Sequence, residues 1–296
     1  MRVPLVAKSE SLLREEKMNS DLLFSVVIPT HQRNESLAKC LDCLAPGVQS
    51  LPAVEYEVIV SDDGVETTAQ QMIEESYPWV KWVASGAKNP AENRNNGAKY
   101  AQGEWLVFTD DDCLPESRWL EAYAAAITED SLALEGAIHP EGNLQRDLVE
   151  CPVNLTGGNF WSANIAVQRC LFEKVGGFDA NYPLAAFEDQ DLQLRLSVLT
   201  RITFVPDAIV RHPVRIVNLK SAILSVPKRC LAYAYHANKN RRALGYESTW
   251  SFAVFQYTFH LKVFLSHLRQ GAIGSALISL VMLTFGVPLV MVNLEK

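Results

Sequence analysis

The chain has 296 residues, 48% of them hydrophobic and 21% charged, and a formal net charge of −7. That length and balance describe a globular protein with a sizeable core, in one large domain or a little more. The net acidity excludes a generally nucleic-acid-binding surface.

Met1 to Asp21 is polar and charged and does not read as a secretory signal, so residues 1–23 are taken as a lead-in. Phe24 to Ile28 is an apolar, β-branched run ended by Pro29, the pattern of a buried strand. Asn34 to Leu44 carries Leu37, Leu41 and Leu44 on one helical face. Within it Cys40 and Cys43 form a CxxC with no second pair at zinc spacing, so buried or half-buried thiols are expected. Together with the missing signal, they fit a reducing cytoplasm.

Tyr56 to Val60 reads as a second strand stopped by Ser61-Asp62-Asp63-Gly64, Thr67 to Glu75 as a helix, and Val80 to Val83 as a short strand. Ala91 to Ala101 reads as a helix closed by Gly103, and Glu104 to Thr109 as a strand that runs into Asp110-Asp111-Asp112. Ser117 to Thr128 follows as a helix. This alternation predicts an α/β domain with a mainly parallel sheet flanked by helices. A parallel sheet would bring Thr30-His31-Gln32-Arg33, Asp62-Asp63 and the aspartate triplet to one edge, where open α/β sheets collect ligands.

The second half opens on mixed strands over 133–138 and 161–167, with Gly157-Gly158 as a tight bend between them. Trp161 suits either an acceptor platform or the core. Gln168 to Val175 reads as a helix closed by Gly176-Gly177, and Phe187 to Leu196 as a helix with Glu188 and Asp189 at its start. Strand-like runs follow at Ile202 to Val205 and Ala208 to Val210, with His212 just beyond.

The last third differs in charge. Between Asp207 and Glu247 there is no acidic residue, while Arg211, Arg215, Lys220, Lys228, Arg229, Lys239, Arg241 and Arg242 all fall there. Such a stretch is a solvated helical face or a basic patch for phosphates or an anionic membrane surface. Phe252 to Leu268 is amphipathic, and Gly271 to Val292 is uncharged and long enough to span a bilayer. A buried C-terminal hairpin is the alternative; the preceding basic stretch favours membrane attachment with that stretch on the cytoplasmic side. The expected layout is a lead-in over 1–23, a catalytic-type α/β domain over 24–215, and a helical region over 216–296 with its apolar segment at 271–292.

Three adjacent carboxylates repel one another, so a fold that gathers them at a strand end calls for a cation. Carboxylate oxygens suit Mg²⁺ or Mn²⁺. Thr30 to Arg33, Asp62 and the triplet have the makings of a cradle for a nucleoside diphosphate and its metal. His212 would complete the metal shell, and Glu188-Asp189, distant in sequence, would supply a base.

The segments SVVIPTHQRNESL (25–37), VIVSDDG (58–64), ENRNNGAKYAQGEWLVFTDDDCLP (92–115), FEKVGGFD (172–179) and FEDQDLQLRL (187–196) resemble, in order, those of family 2 glycosyltransferases with the GT-A fold. The resemblance implies a metal-dependent, inverting transfer from a nucleoside-diphosphate sugar, UDP-sugars by default, to a glycan or lipid-linked acceptor. By position it implies nucleotide contacts from Thr30, His31, Arg33, Asp62, Asp63, Arg94, Asp110 and Asp111. It implies metal ligation by Asp112 and Asp110, with His212 as a further ligand, and Asp189 as base beside Glu188. With the basic stretch and the apolar tail, the expected location is the cytoplasmic side of an inner membrane, peripheral or single-span, or the cytoplasm if the tail is a buried hairpin. His31 stands where the family often has Tyr. Val65-Glu66-Thr67 replaces the usual Ser-Thr-Asp, which leaves the donor base open. A QxxRW-type signature of processive synthases is missing, which points to single transfers. A nucleotidyltransferase would open with a glycine-rich loop where this chain has Pro29 to Arg33, and a dinucleotide oxidoreductase would need a GxGxxG after a strand. A non-catalytic sugar-nucleotide-binding protein would not need the acids at 62, 110, 112 and 189.

Overall fold

The computed structural model describes residues 22–86, 89–245 and 248–294. Of the lead-in expected over 1–23, only Leu22 and Leu23 are among them. An eight-stranded sheet forms the centre, in the order β3-β2-β1-β4-β8-β6-β9-β5. Its first four strands in sequence are β1 (Phe24–Thr30), β2 (Tyr56–Asp62), β3 (Val80–Ala84) and β4 (Trp105–Thr109). They run parallel, with Thr30 beside Asp62 and Asp62 beside Ala84. β1 is buried along its whole length, as expected of a strand covered by helices on both faces. Pro29 lies beyond the last β4 pairing, Val27 with Phe108, so its missing N–H breaks no ladder bond on that side.

Alternation along β1 sends Val26 and Ile28 into one core with α1 (Asn34–Leu44) and α4 (Trp119–Ala126). Val27 goes into a second core with Phe108, Phe172, Phe178 and Leu192, beneath α3 (Pro90–Ala98), α5 (Arg169–Lys174) and α6 (Glu188–Ser197). The remaining helix of this half, α2 (Gln70–Ser76), starts three residues later than the apolar pattern implied.

The second half makes the sheet mixed rather than simply parallel. β8 (Asn164–Gln168) runs antiparallel to both β4 and β6 (Ala133–Glu141). The strand expected over 161–167 begins only at Asn164, because Trp161 closes a turn through the Asn164 N–H. The two runs expected at 202–205 and 208–210 are one strand, β9 (Ile202–Pro213), parallel to β6. Its register jumps from Val205 opposite Gly136 to Ile209 opposite Ala137, so residues 206–208 bulge out.

Asn164 pins this bulge. Its side-chain N–H groups donate to the carbonyls of Ala137 and Ala208, each at 2.8 Å. Its Oδ1 accepts from Trp119 Nε1 at 2.8 Å and from the Tyr123 hydroxyl at 2.7 Å. Every capacity of a buried amide is used, and β9 is set so that its far end reaches the edge where β4 stops. β5 (Leu114–Pro115) pairs with that end, and a two-stranded ribbon of β7 (Val149–Glu150) and β10 (Arg215–Ile216) stands beside it.

The C-terminal helices are α7 (Leu219–Lys239), α8 (Thr249–Arg269), α9 (Ile273–Val281) and α10 (Val287–Val292), the last two joined by a π-helical turn at Met282–Gly286. α7 is fastened to the sheet domain: Lys239 Nζ bridges Asp179 at 2.5 Å and Asp191 at 2.9 Å. Val226, Cys230, Ala234 and Ala237 of α7 meet Phe252 and Val290 in a small third core. Among the described residues one helical run, Ile273–Val292, is long and apolar enough to cross a membrane, and only 28% of it is buried. α8 exposes Trp250, Phe255, Phe259 and Leu265.

The four bonds of Asn164 generate a prediction for stability. Asn164→Ala leaves the buried Trp119 and Tyr123 donors without an acceptor and should lower the unfolding free energy by about 2–4 kcal/mol. Denaturant titration of both proteins measures it; a change below about 0.5 kcal/mol would show that the node is dispensable.

Candidate active site

A cleft of about 930 Å³ opens at the carboxyl ends of the parallel strands. Thr30, His31 and Arg33 line it after β1, Asp63 after β2, and Asp110 and Asp111 after β4. The three loops expected at one edge therefore meet there. Asn93 on α3 helps to fix them: its Nδ2 donates to the Thr30 carbonyl at 3.2 Å and its Oδ1 accepts from Ser61 Oγ at 2.6 Å.

The triplet is divided among three environments. Asp110 accepts from Arg94 Nη2 at 2.7 Å. Asp111 is buried, accepting from Thr30 Oγ1 at 2.8 Å and pairing with Arg33 Nη1 at 2.9 Å. Burial pushes its carboxyl up to about 6 against the pull of Arg33 and Thr30. Asp112 sits just behind the cleft lining, where its Oδ2 takes Arg33 Nη2 at 2.6 Å and an ion pair with Arg215. Burial raises its pKa, but Arg215, His212 and Arg33 outweigh burial and hold it below the ordinary carboxylate value.

The other oxygen of Asp112 shows what the triplet lacks. Oδ1 is buried and has no hydrogen-bond partner among the described residues. His212 Nε2 lies 3.6 Å from it. His212 Nδ1 faces the Pro213 carbonyl at 3.0 Å and donates to it, so Nε2 is the ring nitrogen turned to the carboxylate. An orphaned carboxylate oxygen beside an imidazole nitrogen is a donor pair that fits a divalent cation. Cys113 belongs to the same cluster. Burial raises its thiol well above the usual value, however, so it stays protonated and a poor ligand.

Asp62 and Asp63 have exchanged prominence relative to the sequence reading. Asp62 is not part of the cleft lining. Its Oδ1 accepts from the Gly64 N–H at 2.9 Å, and its Oδ2 from the Ala69 N–H at 2.6 Å and Trp82 Nε1 at 3.1 Å. It ties down the 63–69 loop, which is why α2 starts late. Asp63 faces the cleft and holds His31 Nδ1 at 3.0 Å, with the imidazole 57% exposed at the rim.

Glu188 and Asp189 open α6 after a strained residue. Phe187 has φ +74°, a left-handed conformation costly for a side chain of that size. Its ring is stacked on His236 at 5.4 Å and lies 5.3 Å from Tyr233, both on α7, which holds the turn and aims the two acids. Arg94 Nη1 bonds Glu188 at 3.2 Å, so one buried guanidinium joins Asp110 to Glu188. Asp189 accepts from the Ser162 N–H at 3.3 Å and the Gln190 N–H at 2.8 Å. Burial and then the charge of Glu188 push its carboxyl up to about 7, with Arg94 opposing. Burial likewise raises Glu188.

Other residues of the site were invisible in the sequence. Glu135 is buried and accepts from the N–H groups of Gly158 at 2.6 Å and Phe160 at 2.9 Å, which sets the loop that delivers Trp161 and Ser162 to the cleft. Gly157 and Gly158 have φ of +80° and +94°, the tight bend expected of them. Asn95, next to Arg94 in the segment 92–115, clasps the backbone of Phe178 through both side-chain atoms. Arg215 and Arg229 line the cleft from β10 and α7. Their only sequence signal was membership of the acid-free basic stretch.

Comparison with known proteins shows what this geometry is similar to. Residues 25–148 match the family described as Glycosyl transferase family 2. Glycosyltransferase AglE of Haloferax volcanii is 26% identical over 214 residues, 67% of this chain and 69% of AglE. Poly(ribitol-phosphate) beta-N-acetylglucosaminyltransferase TarS of Staphylococcus aureus is 31% identical over 110 residues, only 36% of this chain and 19% of TarS. The crystal structure of TarS residues 1–349 with UDP-GlcNAc superposes with a TM-score of 0.55 at 17% identity, covering 88% of this chain and 91% of that one. The mannosyltransferase PcManGT of Pyrobaculum calidifontis, solved with GDP-Man and Mn²⁺, gives 0.53 at 16% identity, covering 97% of this chain and 79% of that one. The mixed sheet and its flanking helices are thus of the GT-A type, and over residues 25–148 the chain is similar to the glycosyltransferases of family 2.

Proposed function

We propose that the chain moves a sugar from a nucleoside diphosphate to an acceptor hydroxyl by one direct displacement with inversion, Asp189 acting as the base. The observation that carries this reading is the place of Asp189: a cleft carboxylate held by the Ser162 and Gln190 N–H groups, where burial and the adjacent Glu188 raise its basicity toward that of a general base. It belongs to a different element from the aspartate triplet. No covalent sugar intermediate is needed.

Thr30, His31 and Asp63 receive the nucleoside, the exposed His31 ring offering a face for stacking. Asp62 acts at one remove by holding the loop that carries Asp63. Arg33, Arg94 and Arg215 neutralise the diphosphate and the acids around it. Asp112, Asp110 and His212 would hold a divalent cation, Mn²⁺ or Mg²⁺, which supplies charge stabilisation for the departing nucleoside diphosphate. UDP is the default donor nucleotide, in line with the UDP-GlcNAc bound by TarS. The acceptor is a glycan or a lipid-linked saccharide. The uncovered apolar run Ile273–Val292 and the exposed face of α8 support contact with a membrane. The basic stretch before them supports the cytoplasmic face.

Asp189→Asn should reduce sugar transfer by about 10²–10⁴-fold while leaving nucleoside diphosphate affinity within about twofold, read by steady-state kinetics and calorimetry. Loss of binding in step with activity would remove Asp189 from the role of base. Because the base form exists only above its pKa, transfer should rise with pH and level off above about 7. The stability sign is the opposite. A carboxyl whose pKa is raised by folding favours the native state at low pH, and that contribution is lost as pH climbs from about 4 to about 7. The Asn variant should therefore gain in Tm over the parent at pH 8 but not at pH 4, by differential scanning calorimetry.

For the metal, titration of UDP with and without Mn²⁺ should show tighter binding with the ion, and Asp112→Ala should abolish the difference. Equal affinities in both conditions would leave the Asp112–His212 pair without this role. Asp63→Ala should weaken nucleotide binding at unchanged Tm. Asp62→Ala should lower Tm by several degrees, since three donors lose their acceptor. The reverse pattern would restore Asp62 as the direct contact.

A further inference from the structure

We infer that the acceptor arrives as the head group of a membrane lipid bearing a phosphate, and that Arg229 receives that phosphate where α7 and β7 form the outer wall of the cleft. This rests on the transferase reading above. Arg229 lines the cleft from α7 and pairs with Glu150 of β7 at 2.8 Å, both side chains half exposed at 54% and 50%. An ion pair so open to water is weak and exchangeable. A planar guanidinium at the wall of a cleft is suited to a phosphate by geometry as well as charge. Arg229 shares no ion-pair partner with Arg33, Arg94 or Arg215, although Arg215 lies opposite Glu150 in the β7–β10 ribbon, and no acid other than Glu150 pairs with it among the described residues.

The position of this wall selects the source of the phosphate. Three residues before Glu150, Asp147 accepts from the N–H groups of Gly274 at 2.6 Å and Ser275 at 3.1 Å, and from Ser275 Oγ at 2.5 Å. Leu148 packs on Gly274 so closely that a Cβ there would meet it at 2.7 Å. Three residues of chain span at most about 10 Å. Glu150, which pairs with Arg229, therefore lies within about 10 Å of Asp147, the residue bonded to the start of Ile273–Val292, the run long enough to cross a bilayer. A cleft mouth placed there opens at the depth of lipid head groups. The acid-free stretch from residue 208 to 245 keeps the surroundings positive for an anionic lipid. A soluble phosphate acceptor would gain nothing from this neighbour.

The test uses the full chain and phosphatidylcholine vesicles, plain or doped with a polyprenyl diphosphate or with phosphatidylserine, and inorganic pyrophosphate in solution. The parent should bind the polyprenyl diphosphate vesicles more tightly than either other kind. Arg229→Gln should remove about tenfold of that preference, the loss expected for one charge-assisted hydrogen bond. Lys228→Gln, one residue along and outside the cleft lining, should retain the preference. UDP affinity, measured on the same samples, should be the same in all three proteins. Equal binding by the Arg229 variant and the parent would overturn the assignment, as would equal binding to phosphatidylserine vesicles. Protection by pyrophosphate without any preference among vesicles would overturn the lipid source. Failure of the parent to bind UDP would instead count against the transferase reading and is read separately.

Discussion

The site depends on one buried guanidinium. Arg94 reaches Asp110 with one nitrogen and Glu188 with the other, so the end of β4 and the start of α6 are held to a common cation. Burial lowers the pKa of an arginine, but these two carboxylates more than restore it. The Phe178 ring lies 5.6 Å from its guanidinium carbon and supplies part of the desolvated wall. Without this link Glu188 would be a buried acid with no cation, an arrangement that costs several kcal/mol. With it, Glu188 can sit next to Asp189 and raise the basicity of its neighbour. The acid pair on α6 is thus affordable only because a residue from α3 stands between it and the triplet.

Much of this was legible in the sequence, and the reason is local. β1, β2 and β4 are short apolar runs that end in polar loops, so both the strands and the residues at their tips follow from pattern alone. The same holds for α1, whose apolar face predicted its bounds. What was not legible depends on long-range closure. The β9 bulge needs Asn164, whose four partners come from three other elements and leave no trace in spacing. Glu135 reads as an ordinary acid inside a strand, yet it shapes the loop that brings Trp161 and Ser162 to the cleft. The exchange of Asp62 for Asp63 follows from Trp82 on the neighbouring strand, which captures the first carboxylate. The mixed half of the sheet could not be ordered from sequence because strand direction is set by pairing, not by composition.

The two ends of the cleft are built on different principles. At the nucleotide end, every carboxylate of the triplet meets an arginine, and one buried oxygen of the triplet, Asp112 Oδ1, has no partner among the described residues and lies beside His212. At the other end, Glu150, Cys151 and Arg229 come from β7, the loop after it and α7, and α7 and the residues just before β7 touch the C-terminal helices. The first is preorganised by the sheet. The second takes its shape from elements outside the sheet's core.

The left-handed turn at Phe187 has a consequence for the helices that hold it. His236 and Tyr233 stabilise that conformation, and the conformation in turn orients Asp189. Coupling of this kind is reciprocal. Whatever steadies Asp189 from within the cleft must, by the same free energy, steady α7 against the sheet domain, and with α7 the small core through which α8 and α10 are attached. Occupancy of the cleft and the seating of the apolar C-terminal helices are then two readings of one equilibrium, which slowed amide exchange along α7 in the ligand-bound protein would register.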